Sequence, residues 1–326
     1  MFGKLLVSFL AAMSLLGVYI QPVLAADYPT RPIDICIGFS PGGSIDLAAR
    51  VVAEVAKKYI RQPMVILNKP GAGGSLAALE VAKSPPDGYR LFTNSTMYFA
   101  VTSKTQKLMF DPSLLVPIAG FMEYTDGIIV RGDSPWKTLP ELIDYAKKNP
   151  GKIRWAHVGR GTKPFLAGQL VFRKAGVQAI DIPQKGSADA ILAILGGHVD
   201  VAFSPFLPAL EHLKSGKLRF LMNFSDRRYT TLPQVPSAVE LGYEDLGKMI
   251  PIASMFAHKD TPEEIKRILG DCFKKVFEDP GYKKGLDQIG EQPRPEGAEF
   301  LKANIKSAEQ VSVPLLKEFG LYEGGK

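Results

Sequence analysis

The chain has 326 residues, 46% of them hydrophobic and 22% charged, with only two cysteines. That length is about twice a typical domain and carries enough apolar side chains for two cores, while two cysteines exclude a disulfide framework. The formal net charge of +7 suits an anionic small ligand, but the basic residues are spread at solvent-like spacing without interleaved aromatics, so no nucleic-acid partner is expected.

Lys4, an apolar run over residues 5–16 and the small-residue site Val23-Leu24-Ala25 read as an export signal over residues 1–25, cleaved near Ala25. The competing reading is a membrane-anchoring helix. Gly17 and Pro22 interrupt the run and no basic stop-transfer cluster follows it. No cysteine stands at the cleavage point to carry a lipid, so a soluble periplasmic protein is expected.

From residue 33 the pattern is strand, loop, helix, repeated. Residues 33–39 form an apolar strand, Ser40-Pro41-Gly42-Gly43 turns, and a helix runs from Ser44 to about residue 59. A strand at 65–67, a glycine turn at 71–74, a short helix to about 83 and a strand at 90–94 follow. Such alternation with short glycine turns predicts a parallel sheet covered on both faces. A second block begins near Gly127 with a strand at 128–130. A capping box, Thr138 with Glu141, opens a helix that stops at Asn149-Pro150-Gly151. Strands recur at 154–158, 179–182, 199–203 and 218–224. After Lys248 come a strand at 250–257, a helix opened by Thr261-Pro262-Glu263-Glu264 and a mostly helical tail.

Cys36 lies in a strand-like run and Cys272 on the apolar face of a helix, so both read as buried hydrophobes, with a single bridge between them left open. The two blocks and the helical return predict two lobes. Residues 26–126 and 249–326 form the first and residues 127–248 the second, with a ligand cleft between them.

Three turns place backbone N–H groups at helix N-termini. The first is Phe39-Ser40-Pro41-Gly42-Gly43-Ser44-Ile45-Asp46, where glycines permit close approach, Ser44 can cap and the helix dipole favours an anion. A plain tight turn capped by Ser44 and Asp46 is the alternative. The second, His157-Val158-Gly159-Arg160-Gly161-Thr162-Lys163-Pro164, adds a hydroxyl and two cations. In the third, Gln184-Lys185-Gly186-Ser187, Ser187 is placed to cap a helix, and Lys185 reads equally well as a solvated lysine.

Enzyme readings fit poorly. Gly71-Ala72-Gly73-Gly74 has Leu76 where a dinucleotide turn needs its third glycine. Gly73-Gly74-Ser75-Leu76-Ala77 misses the last glycine of a serine-hydrolase elbow. No arrangement selects His157, His198, His212 or His258 as a base, and no two histidines have metal-ligand spacing. Neither catalysis nor a cofactor or metal is expected.

The first turn resembles the signature loop of the Bug-family receptors of tripartite tricarboxylate transporters. So do Asn68-Lys69-Pro70-Gly71-Ala72-Gly73-Gly74, Pro86-Asp87-Gly88-Tyr89, Asn149-Pro150-Gly151-Lys152, Leu166-Ala167-Gly168, Lys185-Gly186-Ser187 and Leu195-Gly196-Gly197-His198-Val199-Asp200, in family order from about Tyr28 onward. The resemblance implies an α/β type II periplasmic binding protein fold, two lobes joined by two crossover strands. It also implies a monomer that closes by its hinge over a ligand and delivers it to membrane transporter subunits. Carried over by motif, a ligand carboxylate would sit between Phe39, Ser40, Gly42, Gly43, Ser44 and Asp46 on one side and Gly159, Arg160, Gly161, Thr162 and Lys163 on the other. Ser95 and Thr96 would add first-lobe contacts, and Gln184, Lys185, Ser187 and Ser204 the second-lobe floor.

Departures from the family bear on the ligand. Gln184 replaces a usual Tyr, and Ser204 replaces an Asp that many members carry. Arg160, Lys163, Pro164 and Phe165 replace small polar residues. The missing acid at Ser204 argues against an amino acid, and the two extra cations favour a second carboxylate. Phe39, Phe165 and Phe206 as apolar walls keep an aromatic carboxylate open. The expected order is dicarboxylate, aromatic acid, amino acid. A sensor of the same fold feeding a signalling partner is the alternative function, with an exported hydrolase a remote one.

Overall fold

The computed structural model describes residues 27–184 and 186–324; the expected export signal and Lys185 lie outside them. Strands β1 (Ile33–Ile37), β2 (Met64–Asn68), β3 (Arg90–Ser95) and β4 (Leu115–Glu123) build most of a first sheet. Between them lie helices α1 (Ser44–Ala56), α2 (Ser75–Ala82) and α3 (Thr96–Ala100). The chain then crosses through Tyr124 and Thr125 into a second sheet of β5 (Asp126–Arg131), β6 (Arg154–His157), β7 (Ile180–Pro183), β8 (Val201–Pro205) and β9 (Leu218–Asn223). Its helices are α4 (Leu139–Lys148), α5 (Lys163–Lys174), α6 (Ser187–Leu195), α7 (Leu210–Lys214) and, on the way back, α8 (Glu244–Gly247). The return supplies β10 (Ile252–His258), α9 (Glu263–Glu278), α10 (Pro280–Gln288), β11 (Gln292–Gly297) and α11 (Ala298–Glu318).

The first sheet has the order β11-β4-β10-β3-β1-β2 and the second β7-β6-β8-β5-β9. Each holds three parallel strands with the earliest in the middle, and each adds next to them the strand that has just crossed from the other lobe. β10 lies antiparallel to β3, and β5 lies antiparallel to β8. This is the two-lobed α/β arrangement with two crossovers.

Strand β1 buries Ile33, Ile35 and Ile37 against α1 and α9, while Cys36 faces α2 and Phe92 on the opposite side. Cys272 packs on the α1 side, so the sheet separates the two cysteines and both are free thiols. The capping box at α4 forms with one displacement. Thr138 accepts from the Glu141 N–H at 3.4 Å, but the Glu141 carboxylate reaches the N–H of Lys137, one residue further out, at 2.7 Å. Two strands go beyond the alternation read above. β4 contains Pro117 and Gly120, and β11 carries Pro293 and Pro295, which its edge position tolerates. Helix α11, placed by sequence with the first lobe alone, touches both. Leu301 packs with Ile250 and Ile252, whereas Ala308 and Leu316 join the core of the second lobe.

The two crossovers are fastened to each other by one guanidinium. Arg294 of β11 reaches Glu123 at the end of β4 (3.2 Å), Asp226 at the start of the second crossover (3.2 Å) and Glu296 (2.9 Å). Its side chain is 6% exposed and that of Glu123 is fully buried. Removing one partner of such a pair leaves the other charge dry and unpaired. Arg294→Met is therefore expected to lose about 3–5 kcal/mol of stability in urea unfolding. A loss under about 1 kcal/mol, the range of an exposed pair, would show that the Arg294 cluster is not what holds the two crossovers together.

Candidate functional site

In a parallel sheet the crevice for a ligand opens at the carboxyl ends of the strands, where successive connections leave in opposite directions. In the first sheet this point lies between β1 and β3, and in the second between β6 and β8. Phe39 to Ser44 follow β1, and Ser95 ends β3. Gly159 to Lys163 follow β6, and Ser204 lies in β8. Gln184 is beside them, its N–H donating to the His157 carbonyl at 2.8 Å. The topology thus brings the first and second loops, with Ser95 and Ser204, to the switch points of the two sheets.

The first loop is shaped by Asp46 from behind. This carboxylate is 1% exposed and accepts from the Gly42 N–H (2.9 Å), Asn68 Nδ2 (2.9 Å) and both Nε and Nη2 of Arg50 (2.9 and 3.0 Å). Burial opposes its charge, but Arg50, the Gly42 N–H and Asn68 outweigh it and hold the carboxyl below the usual range. Asp46 therefore holds the loop in place, with its oxygens already engaged. Asn68, which shapes the loop with it, stands in one of the family motifs but was not among the expected site residues, and Arg50 carries no local signal that would have singled it out. Gly42 takes φ +85°, where a side chain would be strained. Gly43 has ordinary extended geometry, and a Cβ there would meet nothing closer than the Ser40 carbonyl at 3.8 Å.

Ser44 was expected to cap α1. It is instead the first helical residue, behind Gly43, and no side chain caps the helix. The N–H groups of the first turn are left for another acceptor. Ser95 caps α3 through the Met97 N–H (3.2 Å) and is half-buried. Thr96 is buried and fully used, donating to Ile250 O (3.1 Å) and accepting from the Ile252 N–H (3.2 Å), so it fastens the second crossover. The Gly71–Gly74 turn serves packing, because a Cβ on Gly38 would fall 2.2 Å from the Gly74 Cα.

The second loop repeats the pattern. Thr162 stands at the N-cap of α5, but its hydroxyl donates to the Gly159 carbonyl (2.6 Å), leaving this helix too without a side-chain cap. Gly161 packs against Thr105 of the first lobe, so the loop lies at the line where the lobes meet. Neither expected surplus cation is free. Arg160 is exposed and grips Asp181 at 3.1 to 3.3 Å. Lys163 is buried, bonds both Asp126 oxygens (2.9 and 3.0 Å) and sits 5.3 Å from the Phe224 ring centre. Asp126 and Asp181 were not anticipated, since the residues they neutralise are distant in sequence. His157 also faces Asp181 (3.3 Å); burial lowers its basicity more than Asp181 raises it.

Gly186, not Ser187, is the N-cap residue of α6, again without a side-chain bond. Among the described residues the Gln184 side chain reaches only the Ile182 carbonyl (3.4 Å). Phe165 and Phe206 are 3% exposed and belong to the second-lobe cores; of the three expected walls only Phe39, 38% exposed, is open. Ser204 is fully buried with no partner for its hydroxyl, as is Thr125 at 2% exposure. A cavity of 1010 Å³ lies elsewhere, between second-lobe residues Phe206, Leu210, Phe220 and Leu232 and the end of α10 at Asp287 and Gln288, and contains none of the residues of the two loops.

Comparison with known proteins agrees with this architecture. Residues 48–321 match the family described as "Tripartite tricarboxylate transporter family receptor". The chain is 38% identical over 291 residues to the "UPF0065 protein in gbd 5'region" of Cupriavidus necator, covering 87% of this chain and 86% of that one. It is 32% identical to protein BugT of Bordetella pertussis, covering 86% and 89%. Among solved structures, a TctC solute-binding protein from Polaromonas superposes with a TM-score of 0.77 at 26% identity over 89% of this chain and 99% of that one. MatC from Rhodopseudomonas palustris with bound malate gives 0.69 at 27% identity over 87% and 100%. Matched over most of its length, the chain belongs to the tripartite tricarboxylate transporter receptor family, whose members are solute-binding receptors rather than enzymes.

Proposed function

We propose that this protein is a periplasmic receptor that closes on a small dicarboxylate and delivers it to the membrane subunits of a transporter. The observation that carries the reading is the pair of uncapped helix N-termini, α1 and α5, set at the switch points of two facing lobes. Each offers backbone N–H groups and the positive end of a helix dipole to an anion. With Arg160 and Lys163 already paired, the second carboxylate is met by the second helix terminus rather than by a free cation. The malate bound to the related MatC is a ligand of this type. Charge-assisted bonds worth about 1.5–3 kcal/mol each reach micromolar affinity with only a few contacts. Export and delivery rest on the N-terminal signal and on the family.

Thermal unfolding of unfolded-and-refolded protein with malate, succinate, benzoate or glutamate tests the ligand class. A ligand at about 100 times its Kd adds about 2.7 kcal/mol, so a rise of several degrees is expected with the dicarboxylates. No rise with any carboxylate would refute the receptor reading, and a rise with benzoate alone would reverse the ranking.

Gly43→Val is expected to weaken malate binding at least tenfold with only a small fall in melting midpoint, because its Cβ would meet nothing closer than the Ser40 carbonyl at 3.8 Å, although valine is a poorer N-cap than glycine. Undiminished binding would place the ligand elsewhere. Asp181→Asn, which releases Arg160, is expected to tighten malate several-fold while leaving benzoate unaffected; equal effects on both would remove Arg160 from the neighbourhood of the second carboxylate.

A further inference from the structure

Glu291 is an acid that the pincer of loops does not employ. It directly precedes β11, is 2% exposed, and its Oε2 has no hydrogen-bond partner. No ion pair forms at Glu291 among the described residues. Its surroundings come from several elements. Ser44, the first residue of α1, lies beside the carboxyl. Asp126, the first residue of β5, adds a negative charge that is itself held by Lys163, the first residue of α5. Tyr124 of the first crossover and Tyr229 of the second approach it, with phenols that burial keeps protonated. Gln292, next in sequence, is turned toward Thr230 and accepts from its N–H and hydroxyl (3.0 Å each). Glu291 thus stands behind the N-terminus of α1, within reach of the charge that a bound ligand would bring there.

Resting on the carboxylate-receptor reading, we propose that ligand capture is coupled to proton uptake by Glu291. A carboxylate seated at the α1 terminus adds a negative charge close to Ser44, and two like charges in a dry site disfavour each other. The receptor relieves this by binding one proton from solvent: the ionised carboxyl becomes a neutral acid, and no other bond is made or broken. Glu291 is poised for the change. Burial, reinforced by Asp126 and opposed by Ser44, pushes its carboxyl up to about 7. The free receptor is therefore a mixture of both forms near neutrality, and the ligand selects the protonated one. Affinity follows the same linkage, with binding fully developed at low pH and lost as pH rises through the Glu291 titration, by up to about tenfold per unit. His157 of the second loop, whose basicity burial lowers, is the other group that can accept a proton there, and uptake that persists in Glu291→Gln would assign the proton to it.

The test is calorimetry of malate binding to the mature protein at pH 7 in two buffers of different ionisation enthalpy, with affinities measured from pH 6 to 9. Malate, fully ionised at pH 7, contributes no proton of its own. Uptake of about half a proton per malate is expected, with affinity falling steadily above pH 7. Glu291→Gln is expected to abolish the uptake and flatten the profile. If that variant does not fold, a wild-type count of zero still overturns the inference. Binding without proton uptake overturns the inference, as does uptake that persists in Glu291→Gln, while the receptor reading survives both. Succinate and benzoate are titrated in parallel, and failure of all three to bind would instead remove the receptor reading, and this inference with it.

Discussion

A parallel strand followed by a helix that packs back on the sheet brings the N-terminus of that helix to the carboxyl edge of the sheet. Everything at the cleft of this protein depends on that constraint. β1 with α1 and β6 with α5 bring two helix N-termini to the switch points of their sheets. The peptide dipoles of each helix add at that end, and its first N–H groups have no partner within the helix. Glycine occupies one N-cap and the hydroxyl at the other bends back to Gly159, so neither terminus is closed by its own chain. In the proposed receptor these two termini are the anion sites, made of backbone, which side-chain changes elsewhere can tune without dismantling.

Charge in the cleft is balanced locally. Asp46 answers Arg50, Asp181 answers Arg160, and Asp126 answers Lys163. Of these three pairs, only Asp126–Lys163 is buried on both sides, and it links the first residue of β5 to the first residue of α5. A free lysine in such a place would attract any anion. With its carboxylate partner, it instead positions the N-terminus of α5. The buried Glu291 lies at the other end of this group, behind α1, so both helix termini rest on acids whose ionisation is set by burial as well as by neighbours.

The hinge is more than two linkers. Arg294 ties the end of β4 to the start of the second crossover, and Thr96 ties α3 to its end. Helix α11 packs against both lobes, with Ser312 donating to the Ala100 carbonyl and Glu318 paired with Arg173. Any motion between the lobes would therefore have to respect these directed polar contacts as well as the apolar packing of α11.

The sequence was enough to determine the βαβ rhythm, the strands β1, β3, β6 and β8, and the glycine turns that mark both loops. Hydrophobic alternation and helix-start signals are local, and these elements obey them. The family followed because many short motifs occur in order along one chain. Strands β4 and β11 were illegible because their prolines and glycine break the pattern, and only pairing with β10 and with each other defines them. What the tertiary structure alone decided is which polar groups remain available. Arg160 and Lys163 look free in sequence but meet Asp181 and Asp126, Ser44 looks like a cap but is the first helical residue, and Glu291 looks like any surface acid yet is buried beside Ser44. Backbone pattern is written within a few residues of itself, whereas burial and charge pairing are set by groups tens to hundreds of residues away.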